Sequence, residues 1–123
     1  MHTSTPYKFN TAASTNLQAI SGASETAKIA GLIAQNTAAY DIFIKAYWSR
    51  QGEVPVVGTT IPDLTIGIAA PSTTVTPGQQ FNSIANPVGR MGQLWIWVTK
   101  GVADTDATAT AAGDGIITLL LQI

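Results

Sequence analysis

The sequence has no cysteine, and its only histidine is His2. The absence of cysteine excludes disulfide bonds and thiolate metal sites. With so little histidine, the serine and threonine hydroxyls have no obvious base to activate them as nucleophiles. A glycine-rich phosphate loop is also missing, since Gly89 and Gly92 lack the lysine and the strand-to-helix context that such loops require. We therefore expect a protein that is not an enzyme.

Charge is scarce as well. Only 11% of the residues are charged, against roughly 25% in an average soluble domain. The formal net charge of −1 gives no basic surface for nucleic acid. The longest apolar runs are much shorter than the roughly 20 residues that cross a bilayer, so we expect no membrane partner. A surface with so little charge is poorly protected against association, which predicts that the chain works inside an assembly.

Short strands separated by glycine and proline dominate the sequence. Residues 94–99 and 115–123 are apolar on both faces, because strand side chains alternate in direction and apolar residues occupy successive positions. We expect these two segments to form a hairpin, with Gly101 ending its first strand. An antiparallel sheet with one solvated face would alternate apolar and polar residues. The second face of this hairpin is therefore expected to be covered, by another sheet or by another subunit.

Seven or eight strands are expected at intervals of roughly a dozen residues. This spacing predicts an all-β protein, an antiparallel and jelly-roll-like β-sandwich, in preference to alternating strands and helices. We expect an extended N-terminal arm over residues 1–6, a single sandwich domain over residues 7–123, and a loop over residues 86–92. Residues 25–35 leave strand and helix open. Strand is favoured there, with Ile29 and Ile33 on one face.

Asp104, Asp106 and Asp114 are the candidate metal ligands. Hard cations such as calcium take several oxygen ligands, and an Asp-x-Asp pair on a loop supplies two. The alternative is a solvated loop in which short aspartate side chains bond to their own backbone. The sequence favours the loop interpretation, so no cofactor is expected unless calcium binds here.

Large aromatic side chains on strands that are apolar on both faces are typical of a core or a subunit interface. The candidate interface residues are Tyr7, Phe9, Phe43, Tyr47, Trp95 and Trp97. An exposed group of such rings, with Tyr47, Trp48, Trp95 and Trp97 as its members, would also suit sugar binding. A carbohydrate- or receptor-binding module is therefore the second hypothesis.

Three segments rich in turn residues carry a resemblance to a known group of proteins. They are Asn36 to Tyr40 before a lysine-bearing strand, the Pro-x-x-Gly-Thr-x-x-Pro stretch at residues 55–62, and the Gly-x-Ala-Asp-x-Asp stretch at residues 101–106 with Thr108 and Asp114. Together they resemble segments of small tailed-bacteriophage virion proteins of β-sandwich type. The resemblance covers about residues 36–123 and carries no catalytic residue.

The resemblance implies a structural part of a virion. We expect a capsid decoration or cement protein that oligomerises, as a trimer, on the capsid surface and stabilises the shell. Its partners would be other copies of itself and the major capsid protein or another virion protein. The N-terminal arm, together with Tyr7 and Phe9, would reach a neighbouring copy. A tail or baseplate component is the alternative within the same class.

Overall fold

The computed structural model describes residues 4–20, 27–50, 52–71 and 78–122, with the backbone alone at residues 4–5 and 78–88. All regular elements in these ranges are strands: β1 (Ser4–Asn10), β2 (Gln18–Ala19), β3 (Lys28–Asn36), β4 (Ile42–Ser49), β5 (Leu64–Ile68), β6 (Gly78–Val88), β7 (Gln93–Thr99) and β8 (Gly115–Gln122). The described residues contain no helix that could span a membrane.

The strands form two four-stranded sheets. The first sheet has the order β1-β8-β3-β6 and the second has the order β2-β7-β4-β5. All neighbouring strands are antiparallel. β1 pairs with β8, β2 with β7, β3 with β6 and β4 with β5. This is the pairing of one long antiparallel hairpin that is curled into two sheets, and we call it the rolled-hairpin order. The sheets share one core, which confirms the predicted all-β antiparallel sandwich.

The core is built from the inward side chains of both sheets. In β4 and β7 the alternation predicted from sequence holds, because one side of each strand enters the core. The buried residues of the cluster are Phe9, Ala27, Ile29, Leu32, Ala34, Ile42, Ile44, Ala46, Trp48, Ile68, Leu94, Ile96, Val98, Ile117, Leu119 and Leu121. The Trp48 indole N–H donates to the Ala27 carbonyl at 2.7 Å, which satisfies the polar atom of the largest side chain in this set.

The predicted hairpin of the last two strands is wrong. β7 pairs with β2 and β4 in the second sheet, whereas β8 pairs with β1 and β3 in the first. The loop over residues 100–114 therefore crosses from one sheet to the other. This arrangement places the inward rows of β7 and β8 on opposite sides of one core, where both are removed from water.

Residues 28–36 form β3, so strand is confirmed over helix in that part of the segment, and residues 25 and 26 lie outside the described residues. The register shifts between Ile29 and Gly31. Such a bulge adds one residue and reverses the alternation beyond it. Leu32 and Ala34 therefore face the core and Ile33 faces outward, which contradicts the predicted shared face of Ile29 and Ile33.

Two boundaries also differ from the sequence prediction. Residues 4–6, predicted as part of an extended arm, begin β1, which pairs with β8 of its own chain from Ser4 opposite Gln122 onward. Residues 1–3 lie outside the described residues. Residues 86–88, predicted as loop, complete β6. Pro87 is compatible with this strand because β6 is at the edge of its sheet, where strands tolerate proline.

Candidate partner-binding surfaces

Part of the outer face of the second sheet is covered by a loop of the same chain. Lys45 and Trp97 are opposite each other on β4 and β7, and both side chains are fully buried. The Lys45 ammonium donates to the Ala103 carbonyl at 2.6 Å, so the loop over residues 100–114 folds back onto this face. Trp97 on the second face of β7 is thus buried within the chain without a second sheet over it, whereas Trp95 on the same face is half-buried.

Asp106 fixes the conformation of this loop. Its carboxylate accepts hydrogen bonds from the Gly101 N–H at 3.2 Å, from the Thr108 N–H at 2.9 Å and from the Thr108 hydroxyl at 3.2 Å. A side chain at position 101 would collide with this carboxylate, which accounts for the glycine there. The loop is therefore held by specific bonds to one side chain.

The charges of this cluster influence one another. Burial lowers the pKa of Lys45 below its ordinary value of 10.5, although the carboxylates of Asp106 and Asp104 oppose that effect. Burial alone would raise the pKa of Asp106, but the bonds from Thr108 and Gly101 and the charge of Lys45 outweigh it and leave that pKa below 3.8. Asp106 is therefore ionised at neutral pH and supports the loop in that form.

Acid should weaken the fold through Asp106. The pKa of Asp106 is lower in the folded chain than in the unfolded chain, so on acidification the unfolded chain binds a proton at this carboxylate at a higher pH. The stabilisation from Asp106 is therefore complete above pH 3.8 and is lost as the pH falls through the folded-state pKa. The free energy of unfolding, measured with urea between about pH 7 and pH 2, should fall less steeply in Asp106→Asn than in the wild type. Identical slopes in the variant and the wild type would contradict this role of Asp106.

The three aspartates predicted as metal ligands are not gathered into one site. Among the described residues, no three acidic or histidine side chains come together in a geometry that could hold a metal ion. Asp114 accepts the Ala111 N–H at 2.9 Å, and Asp106 accepts the loop bonds described above. Both carboxylates thus bond to their own backbone, as the loop interpretation expected.

Two of the six candidate interface residues are buried within the chain. Phe9 belongs to the core, and Trp97 is fully buried opposite Lys45 on the second sheet. A side chain that is removed from water inside one chain offers no surface to a partner, so their prediction as interface residues is wrong.

The other four candidates are half-buried and do not form one surface. Tyr7 packs against the core from the first sheet, and its hydroxyl donates to the Gln18 side chain at 2.6 Å. The remaining three lie on the outer face of the second sheet, and two of them are engaged in hydrogen bonds. They are Phe43, Tyr47, which donates to Glu53 at 2.8 Å, and Trp95, which donates to the Ser49 hydroxyl at 2.9 Å.

The outer face of the first sheet carries an apolar patch that the sequence prediction did not single out. Ile33 is 39% exposed and Ile116 is 38% exposed, and Leu120 is half-buried. Ile33 on β3 is opposite Thr118 on β8, so Ile116 and Leu120 are the diagonal neighbours of Ile33 across the two strands. We call Ile33, Ile116 and Leu120 the first-sheet patch. The alternation of β8 in the sequence places Ile116 and Leu120 on the face away from the core. The outward position of Ile33 could not be predicted, because the bulge in β3 has no marker in the sequence.

Exposed aliphatic side chains also occur on the two long loops beside the second sheet. The loop between β4 and β5 approaches the loop over residues 100–114, because a side chain on Gly58 would lie 3.2 Å from the Ala107 methyl group. The exposed residues are Val54, Val56, Ile61 and Val102. They lie outside any strand, so no alternation pattern marks them in the sequence.

The motifs that carry the virion resemblance build turns. Asn36 is fully buried; its amide donates to the carbonyls of Tyr40 at 2.9 Å and Ile68 at 3.1 Å, and its oxygen accepts the Ala38 N–H at 2.9 Å. Asp106 organises the third motif in the same way. Comparisons with protein-family models, curated proteins and solved structures found no match. The interpretation of function therefore depends on the surfaces described above.

Proposed function

We propose that the chain is a non-enzymatic structural protein of a bacteriophage virion, which forms a homotrimer on the capsid surface and stabilises the shell. The observation that carries this proposal is the first-sheet patch, an apolar surface on regular strands in a chain that has few charges. The sequence motifs favour the same class of protein, and their turn-building role is compatible with it.

The strand order supports the proposal at the level of the fold. We infer that the sandwich is a jelly roll, because eight strands divide between two sheets in the rolled-hairpin order. Jelly rolls include viral capsid domains and lectins. Since one fold serves many functions, the choice between a capsid protein and a lectin has to be argued from the exposed surface.

The surroundings of the first-sheet patch are those of a subunit interface. Lys8 is directly opposite Thr118 and Lys28 is opposite Gln122, and both lysines are exposed. An apolar centre with charged residues at its edge is the usual composition of a protein–protein interface. Association of copies through this face would remove Ile33 and Ile116 from water, which stabilises the oligomer.

The other side of the sandwich would then face the shell. The exposed aliphatic residues of the loops, including Val56 and Val102, lie on the side of the second sheet, away from the first-sheet patch. A trimer would present three copies of this loop surface to the major capsid protein or to another virion protein. Binding to the assembled shell and not to free subunits stabilises the shell by mass action.

Ile33→Glu should convert the trimer into monomers. The side chain points outward in the single chain, so the glutamate is tolerated there, whereas a trimer would have to bury its charge without a partner. Sedimentation velocity should show one species near the monomer mass of 12.8 kDa. Val54→Glu is the matched control, because Val54 is also an exposed aliphatic residue but lies on a loop. Association of the Ile33→Glu protein like that of the wild type would exclude the first-sheet patch as the interface.

Location on the particle tests the function itself. Gold-labelled antibodies raised against the purified chain should decorate the heads of intact particles of the phage that produces it. Purified wild-type protein should also rebind to particles stripped of it, and Val54→Glu protein should rebind less if the loops contact the shell. Intact particles without label, in a lysate where the free protein reacts with the antibody, would contradict the virion assignment.

A further inference from the structure

An open cavity of about 280 Å³ lies at one end of the second sheet. It is formed where β4 ends and β7 begins, since Ser49 is opposite Gln93. Its lining residues are Tyr47, Trp48, Arg50, Arg90 and Met91. The sequence has only two arginines, and both are in this cavity. In a chain with 11% charged residues, this concentration of guanidinium groups marks the cavity as a candidate binding site.

The carboxylates beside the cavity are already engaged. Asp63 binds the Arg90 guanidinium at 2.8 Å and accepts the Trp48 backbone N–H at 3.0 Å. Glu53 accepts the Tyr47 hydroxyl at 2.8 Å, and this bond is the main reason why the pKa of Tyr47 is raised. The acceptors of the site thus have partners, and a ligand that supplies further acceptors would fit it better than one that supplies donors.

The arginines retain donors for such a ligand. Arg90 uses one nitrogen for Asp63, and its side chain remains 68% exposed. The Arg50 guanidinium makes no hydrogen bond with the residues that the structure describes. A guanidinium presents five N–H donors in a fork that matches the two oxygens of a carboxylate. Asp63 therefore acts as a positioning residue for Arg90, and Arg50 is available for direct contact.

The walls of the cavity add apolar surface. Met91 is 89% exposed, and Tyr47 contributes an aromatic ring. A sugar ring has one apolar face and a polar edge, which suits a site with an aromatic wall and several donors. We propose that this cavity binds an acidic sugar residue, whose carboxylate contacts Arg50 and Arg90 and whose ring packs on Tyr47. This site is separate from the first-sheet patch and does not depend on the virion assignment.

The test is binding of N-acetylneuraminic acid and glucuronic acid to the purified full chain, followed by chemical-shift changes in nuclear magnetic resonance spectra. Both acids should shift resonances of residues in the cavity, whereas neutral glucose should not. Arg50→Gln and Arg90→Gln should each weaken binding by about tenfold to a hundredfold, as expected for loss of a hydrogen bond to a charged group. Lys100→Gln removes one positive charge at an exposed site elsewhere and should bind like the wild type.

Four results would overturn the proposal. Equal affinity of the Arg50→Gln, Arg90→Gln and wild-type proteins, or no saturable binding by either acid, would exclude the cavity as the site. Equal binding of glucose would exclude recognition of the carboxylate. Equal binding of a glutamate-containing dipeptide would assign the cavity to acidic peptides and not to sugars. Thermal unfolding of each variant establishes that lost binding is not lost folding.

Discussion

Trp97→Ala should lower the free energy of unfolding by about 3–5 kcal/mol. The indole is fully buried on the outer side of the second sheet, opposite Lys45, so its loss leaves a cavity that the surrounding strands cannot close. Urea denaturation followed by circular dichroism measures the change without relying on tryptophan fluorescence.

Trp95→Ala is the matched control for this experiment. Trp95 is on the same strand and the same face, but it is only half-buried and has one hydrogen bond to Ser49. Its removal should cost clearly less stability than the removal of Trp97. A Trp97→Ala protein that keeps wild-type stability and loses only its oligomeric state would show that Trp97 serves an interface after all.

Asn36→Ala should lower the free energy of unfolding by about 2–4 kcal/mol. The substitution removes three hydrogen bonds and leaves the Ala38 N–H and the carbonyls of Tyr40 and Ile68 without their partner. Leaving a buried polar group unpaired costs more free energy than an average hydrogen bond contributes to stability. Urea denaturation provides the measurement.

Thr37→Ala is the neighbouring control. Thr37 is exposed and its hydroxyl makes only long bonds, at 3.4 Å to the Gly113 carbonyl and 3.3 Å to the Asp114 carbonyl. It should change stability by less than about 0.5 kcal/mol. If Asn36→Ala is as mild as Thr37→Ala, then the turn between β3 and β4 does not depend on the asparagine side chain.

Local patterns explain why most strands could be predicted. The rows that face the core in β4 and β7 follow from the alternation of apolar residues, which depends only on neighbouring positions in the chain. The glycine and proline positions between strands likewise indicate turns by their own conformational preferences. The sandwich class follows from these signals together.

Pairing between distant strands could not be predicted in the same way. The last two strands are close in sequence, and short connections favour adjacent strands, yet a 15-residue loop over residues 100–114 carries the chain to the other sheet. The bulge between Ile29 and Gly31 also has no marker in the apolar pattern. One inserted residue then exchanges the faces of everything that follows it.

The candidate surfaces depended on the same long-range information. Trp97 occupies an outward position on its strand, and only the three-dimensional structure shows that it is buried, beside Lys45 onto which the loop over residues 100–114 folds. A usable signal was present in β4, where Lys45 interrupts a row of large side chains that includes Phe43 and Tyr47. A lysine in such a row indicates either that a polar group from elsewhere in the chain binds its ammonium, or that the row is exposed to solvent at that position.

The molar mass of the purified wild-type protein, from light scattering during size exclusion, tests the central claim most directly. A trimer built through the first-sheet patch predicts a mass near three times the chain mass of 12.8 kDa, maintained on dilution. A mass of 12.8 kDa at every concentration would contradict a preformed trimer and show that Ile33 and Ile116 remain exposed on a monomer.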